Sequence, residues 1–140
     1  MRTHLSCPSC LLLFSIASFF VGCSAESGPL EHTVSGTVNL DGQPLADGSI
    51  LFVDPQGKIK SYYANIQGGA YRTEVQAGKW QVQISAYRKS KTEMIPNADG
   101  TGEEPATEQY LPARYNEETT LEANVTAGGA NTFNFDLNSE

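Results

Sequence analysis

The chain has 140 residues, a formal net charge of −7, 39% hydrophobic and 18% charged residues. That is one domain's worth of sequence, too apolar for a wholly disordered chain and too polar for a multi-span membrane protein. The acidic balance excludes the basic face that nucleic-acid phosphates require, and 13 Gly with 7 Pro favour many turns over long helices.

Residues 1–22 differ from the rest. Arg2 and His4 open a short polar start, and Leu11 to Val21 is apolar apart from Ser15 and Ser18. About 13 uncharged residues, Cys10 to Gly22, fall short of the roughly 20 needed to span a bilayer, but they suit the apolar region of a secretory signal. Val21-Gly22-Cys23 followed by Ser24 resembles the lipobox of bacterial lipoproteins. That resemblance implies diacylglyceryl transfer to the Cys23 thiol and cleavage before it. Phe20 stands where Leu is usual. An ordinary secretory signal with Cys23 incidental, or an uncleaved anchor, are the alternatives. Two or three acyl chains, at about 0.8 kcal/mol per buried CH₂, hold a protein on a membrane without a span. Cys7 and Cys10 form a C-x-x-C inside the segment to be removed, so the mature chain keeps no free thiol for catalysis or zinc. Cleavage removes one positive charge and no negative one, moving the net charge to −8. The expected division is a signal peptide at 1–22, a tether at 23–32 and a folded domain at 33–140.

In the domain, Val34, Gly36, Val38 and Leu40 alternate with polar residues, which predicts a strand with one buried face. Asp41-Gly42 and Asp47-Gly48 are turn signals. The run Ile50–Val53 predicts a strand covered on both faces. Ser61–Ile66 predicts another, turned by Gln67-Gly68-Gly69 into Tyr71, Thr73 and Val75. Trp80, Val82, Ile84 and Ala86 give the cleanest alternation, with Trp80 expected at the centre of the core. Residues 88–116 break the rhythm. Their polar stretch Asn97–Pro105 predicts a long connection, either functional or disordered. Leu121, Ala123 and Val125, then Phe133, Phe135 and Leu137, restore the alternation. About seven short strands without a helical stripe predict an all-β sandwich.

The segment from Val34 to Leu45, V-x-G-x-V-x-x-D-G-x-P-L, with Gly69-Ala70-Tyr71 and Ala77-Gly78-Lys79-Trp80, resembles carboxypeptidase regulatory-like domains. Together with Leu111–Asn116 and the closing strands, it is similar to small predicted lipoproteins of planctomycete bacteria. The resemblance implies a transthyretin-like, or prealbumin-like, β-sandwich and assigns no chemistry, since a fold does not fix an activity.

His32 is the only histidine after Cys23, and its place beside the tether argues against a catalytic triad. Transthyretin-related hydrolases use several histidines and a C-terminal tail that Asn138-Ser139-Glu140 does not match. No zinc-protease, phosphate-loop or nucleophile-elbow motif occurs. The expectation is a non-enzymatic protein without a cofactor. Asp99, Glu103 and Glu104, with Glu108 and Asn97, carry oxygen donors suited to calcium, though their spacing is not that of an EF-hand. Tyr110, Arg114 and Tyr115, with Tyr62, Tyr63 and Tyr87, are aromatic candidates for stacking on a glycan, against the alternative of Tyr at strand edges and a strap at 110–116 fixed by Pro112. The expected protein is a lipoprotein anchored in the cell envelope, on its periplasmic or outer face. Its expected partners are the membrane, through its lipid, and an envelope protein or a glycan.

Overall fold

The computed structural model describes residues 29–140; the expected signal peptide, Cys23 and most of the tether lie outside them. The described chain is all-β apart from one 3₁₀ turn at Ala113–Tyr115. Strand β1 spans Glu31–Leu40, β2 Gln43–Pro44, β3 Asp47–Val53, β4 Tyr62–Gln67, β5 Ala70–Gln76 and β6 Gly78–Ser85. They are followed by β7 at Tyr87–Pro96, β8 at Glu103–Gln109, β9 at Glu122–Val125, β10 at Asn131–Thr132 and β11 at Phe135–Leu137.

The main sheet runs in the order β10-β1-β5-β4-β3-β6-β9, with β11 and β2 also on β1. β4 and β5 are registered only at Gln67↔Ala70, where their hairpin turns. On each long strand of this sheet one set of alternate side chains is buried, and these sets form a single cluster. A sheet with one apolar face satisfies it by folding over on itself, which gives a sandwich-like core. Phe52 on β3 meets Tyr71 on β5 across that core, with ring centroids 6.2 Å apart. Trp80, 1% exposed, stands edge-on to Tyr62 at 5.1 Å and is buried in the core cluster.

The predicted turns at Asp41-Gly42 and Gly68-Gly69 form. Asp41 and Gly42 both take positive φ, 51° and 75°, and form the two-residue bend between β1 and β2. Gly68 and Gly69 do the same between β4 and β5, at 56° and 82°. After β3, the carboxylate of Asp54 accepts backbone N–H bonds from Gln56 (3.0 Å), Lys58 (2.7 Å) and Ile59 (3.0 Å). Those donors, Gln56 foremost, hold the Asp54 carboxyl below its ordinary range. A depressed carboxyl adds stability above its unfolded value, and that stability is lost as pH falls through the folded one. Asp54→Ala is therefore expected to lower the melting temperature at neutral pH and to leave it nearly unchanged at strongly acidic pH. Thermal melts across that range check it, and an equal loss at both ends would contradict it.

Three expectations are corrected. Ile50 and Phe52 are fully buried, but Leu51 and Val53 are only half-buried, so β3 is covered on one face and not both. The apolar run reads as two-sided because Leu51 sits on an outer face that is open to water. The tether does not extend to residue 32. Glu31 and His32 are already paired in β1, opposite Gln76 and Val75, and Lys60 Nζ lies 2.8 Å from Glu31 Oε1.

Residues 88–109, expected as a long connection, are regular instead. β7 and β8 form a separate two-stranded antiparallel ribbon. Its turn is closed by Asn97, whose backbone N–H donates to Gly102 O at 3.0 Å and whose Oδ1 accepts from Gly102 N–H. Gln109 staples its base, Oε1 accepting from the N–H of Ala86 and of Leu111. Both faces of the ribbon meet solvent, so no alternation marks it in the sequence; only Ser90 and Ala106 are buried. The strand count rises above seven for this reason, and because the last strand is split. Asn134 breaks it, its Oδ1 taking the N–H of Thr37 in place of a backbone carbonyl between β10 and β11.

Candidate binding face

The register places the two ends of the domain. Glu31, where the chain enters β1, is opposite Gln76 at the end of β5, and β6 starts two residues later at Gly78. β6 runs to Ser85 and the ribbon begins at Tyr87. The ribbon therefore springs from the pole opposite the chain's entry, a β-strand's length away. An eight-residue strand such as β6 covers roughly 26 Å.

The aromatic candidates separate by what they touch. Tyr115 is buried, and its hydroxyl accepts the N–H of Asn138 at 2.9 Å. That bond is the main cause lowering the Tyr115 hydroxyl's pKa. Arg114 lies over the Tyr115 ring at 4.8 Å and donates through Nη2 to Asn138 O at 2.7 Å and to Glu140 O. Asp41 Oδ1 accepts the N–H of Ser139 at 2.9 Å, which holds its carboxyl low. Arg114 and Tyr115 thus clamp residues 138–140 onto the domain and present no free stacking face. Tyr110 is half-buried and covered by Arg88, whose guanidinium lies 5.2 Å from its ring. The segment 110–116 is the strap that one sequence reading anticipates, with Leu111, Tyr115 and Asn116 buried.

The acidic candidates do not converge. Asp99 Oδ1 accepts from Thr101 N–H at 3.0 Å and from Thr101 Oγ1 at 2.7 Å, so its carboxylate serves the ribbon turn. Glu103 and Glu104 lie at the start of β8, exposed. Glu108 pairs with Arg88 at 2.7 Å. Among the described residues, no three His, Cys, Asp or Glu side chains gather to hold a metal ion. His32 stands in β1, opposite Val75.

Of the six tyrosines, only Tyr63 and Tyr87 are exposed, at 57% and 61%. They border a shallow concavity of about 280 Å³ completed by Asp47, Gly48, Ser49 and Ser85. Strand alternation puts them there. Tyr62, Ala64 and Ile66 turn inward on β4, so Tyr63 and Asn65 turn outward. On β6, Trp80, Val82 and Ile84 turn inward, so Gln81, Gln83 and Ser85 face out, and Tyr87 continues that parity. Pairing aligns Asn65, Ser49 and Ser85 in one row across β4, β3 and β6. Tyr63 donates its hydroxyl proton to Asn65 Oδ1 at 2.6 Å. A second depression of about 500 Å³ begins at Asn65 and Gln67 and reaches Arg72. The sequence contains the signal for this face, namely parity along β4 and β6, but reading Tyr residues by type alone does not separate Tyr63 from Tyr62.

Among the described residues no helix is long and apolar enough to cross a membrane. Compared with known proteins, the chain matches no family model, no curated protein and no solved structure.

Proposed function

We propose that this protein is a non-enzymatic lipoprotein of the cell envelope, held by lipid at Cys23 and presenting a binding or structural module to its surroundings. The domain is read as a carboxypeptidase regulatory-like, transthyretin-like β-sandwich. Support for that assignment is local: the V-x-G-x-V-x-x-D-G-x-P-L segment supplies β1, its two-residue bend and β2. The observation that carries the functional reading is polar opposition. The chain enters the domain at Glu31, and the exposed tyrosines and the ribbon lie toward the other pole. A module tethered at residue 23 would hold that pole outward from the membrane.

Mass spectrometry of the N-terminal peptide from protein made in its own envelope tests this reading. The expected peptide starts at Cys23 and carries a diacylglyceryl group. An unmodified Cys23, or a cleavage elsewhere, would overturn the anchor.

A further inference from the structure

We propose that the outer face of β4, β3 and β6, around Tyr63 and Tyr87, is a binding site for a neutral oligosaccharide. This inference rests on the reading of the domain as a binding module and names its ligand class; it does not depend on the lipid. Five observations carry it.

The two rings are the exposed aromatic faces of the domain's tyrosines, and they border one concavity. A pyranose ring presents a flat C–H face that stacks on such rings, and its hydroxyls need donors and acceptors beside them. Between the rings Ser49 and Ser85 provide hydroxyls, with Asp47 at the edge of the concavity, and Asn65 continues their row on β4. In a chain of net charge −7, this outer face carries no charge from Tyr63 to Gln67 on β4 or from Gln81 to Ser85 on β6, and only Asp47 on β3. A neutral ligand meets that surface without leaving a desolvated charge unpaired, whereas an acidic one would face Asp47 and the protein's net charge.

The site also offers little to a polypeptide. β3 is hydrogen-bonded on both sides, to β4 and β6, so its backbone is closed to strand addition. The adjoining depression runs from Asn65 and Gln67 to Arg72, so it lengthens the polar surface, with one cation at its far end, and suits an oligomer better than a single sugar.

The test is a calorimetric titration of the full-length protein in a detergent without a sugar headgroup. The probes are chitohexaose and cellohexaose as neutral oligomers and hexagalacturonate as the acidic control. At least one neutral hexamer is expected to bind saturably at millimolar or lower concentration, and hexagalacturonate is not. Tyr63→Ala and Tyr87→Ala should each weaken binding about tenfold, as loss of one stacking partner implies. Tyr63→Phe, which keeps the ring and loses only the bond to Asn65, should bind within a few-fold of wild type. Both tyrosines are exposed, so the melting temperatures of all variants should match. Failure of both neutral hexamers to bind, preference for hexagalacturonate, or binding that survives both alanine variants would overturn the proposal. Cys23→Ala protein should titrate as wild type does, so failure of the anchor and failure of the site are distinguishable.

Discussion

Gly36→Ala is expected to destabilise the domain by about 3 kcal/mol or more, beyond the usual cost of overpacking. A Cβ at residue 36 would lie 1.8 Å from the carbonyl oxygen of Phe133 and 2.7 Å from its carbon. Both atoms are backbone, so no rotamer change relieves the clash. The same carbonyl accepts the Tyr71 hydroxyl at 2.8 Å, and burial pushes that hydroxyl's pKa upward. Phe133 N–H in turn donates to Ser35 O at 3.0 Å. Moving Phe133 away would therefore loosen the parallel pairing of β1 with β10 and β11 and strand a buried phenol. Urea unfolding followed through the single tryptophan measures the effect. A change within about 0.5 kcal/mol, the range of ordinary surface substitutions, would show that β1 and the closing strands are not packed as described.

Trp80→Ala should cost a comparable or larger amount, about 3–5 kcal/mol. Trp80 is buried against Tyr62, and its Nε1 donates to Gln76 O at 2.9 Å. Truncation opens a cavity where strands β4 and β6 meet the core, and removes a buried donor from a backbone carbonyl. Total stabilities of small domains run about 5–15 kcal/mol, so much of the fold's margin would disappear. Circular dichroism during thermal unfolding is the proper readout, because the substitution removes the fluorescent probe. Trp80→Phe, which keeps most of the volume, should fall between the two. A Trp80→Ala protein melting within a few degrees of wild type would show that Trp80 is not a main support of the core.

The sequence was most legible where one face of a strand is dry and the other wet. Trp80-Val82-Ile84 and Tyr71-Val75 alternate because each apolar side chain meets the same core. The bends at Asp41-Gly42 and Gly68-Gly69 were legible because positive φ restricts residue choice. The β7–β8 ribbon was illegible for the converse reason: with water on both faces, nothing imposes period two on Arg88–Pro96 or Glu103–Gln109. Residue type also misdirected the site. Arg114 and Tyr115 have the chemistry of a ligand platform, yet they hold residues 138–140, a contact spanning more than twenty positions that no local pattern reveals. Tyr63 and Tyr87 become neighbours only through the pairing of β4, β3 and β6.

Fractionation of envelopes from cells making wild-type protein or Cys23→Ala measures the lipid anchor directly. A lipid-held module predicts that wild type stays with the membranes after a high-salt wash and is released by detergent, while Cys23→Ala, once exported, is recovered in the soluble fraction with an unchanged melting temperature. Salt-resistant membrane association of Cys23→Ala, or wild-type protein recovered soluble without detergent, would contradict it.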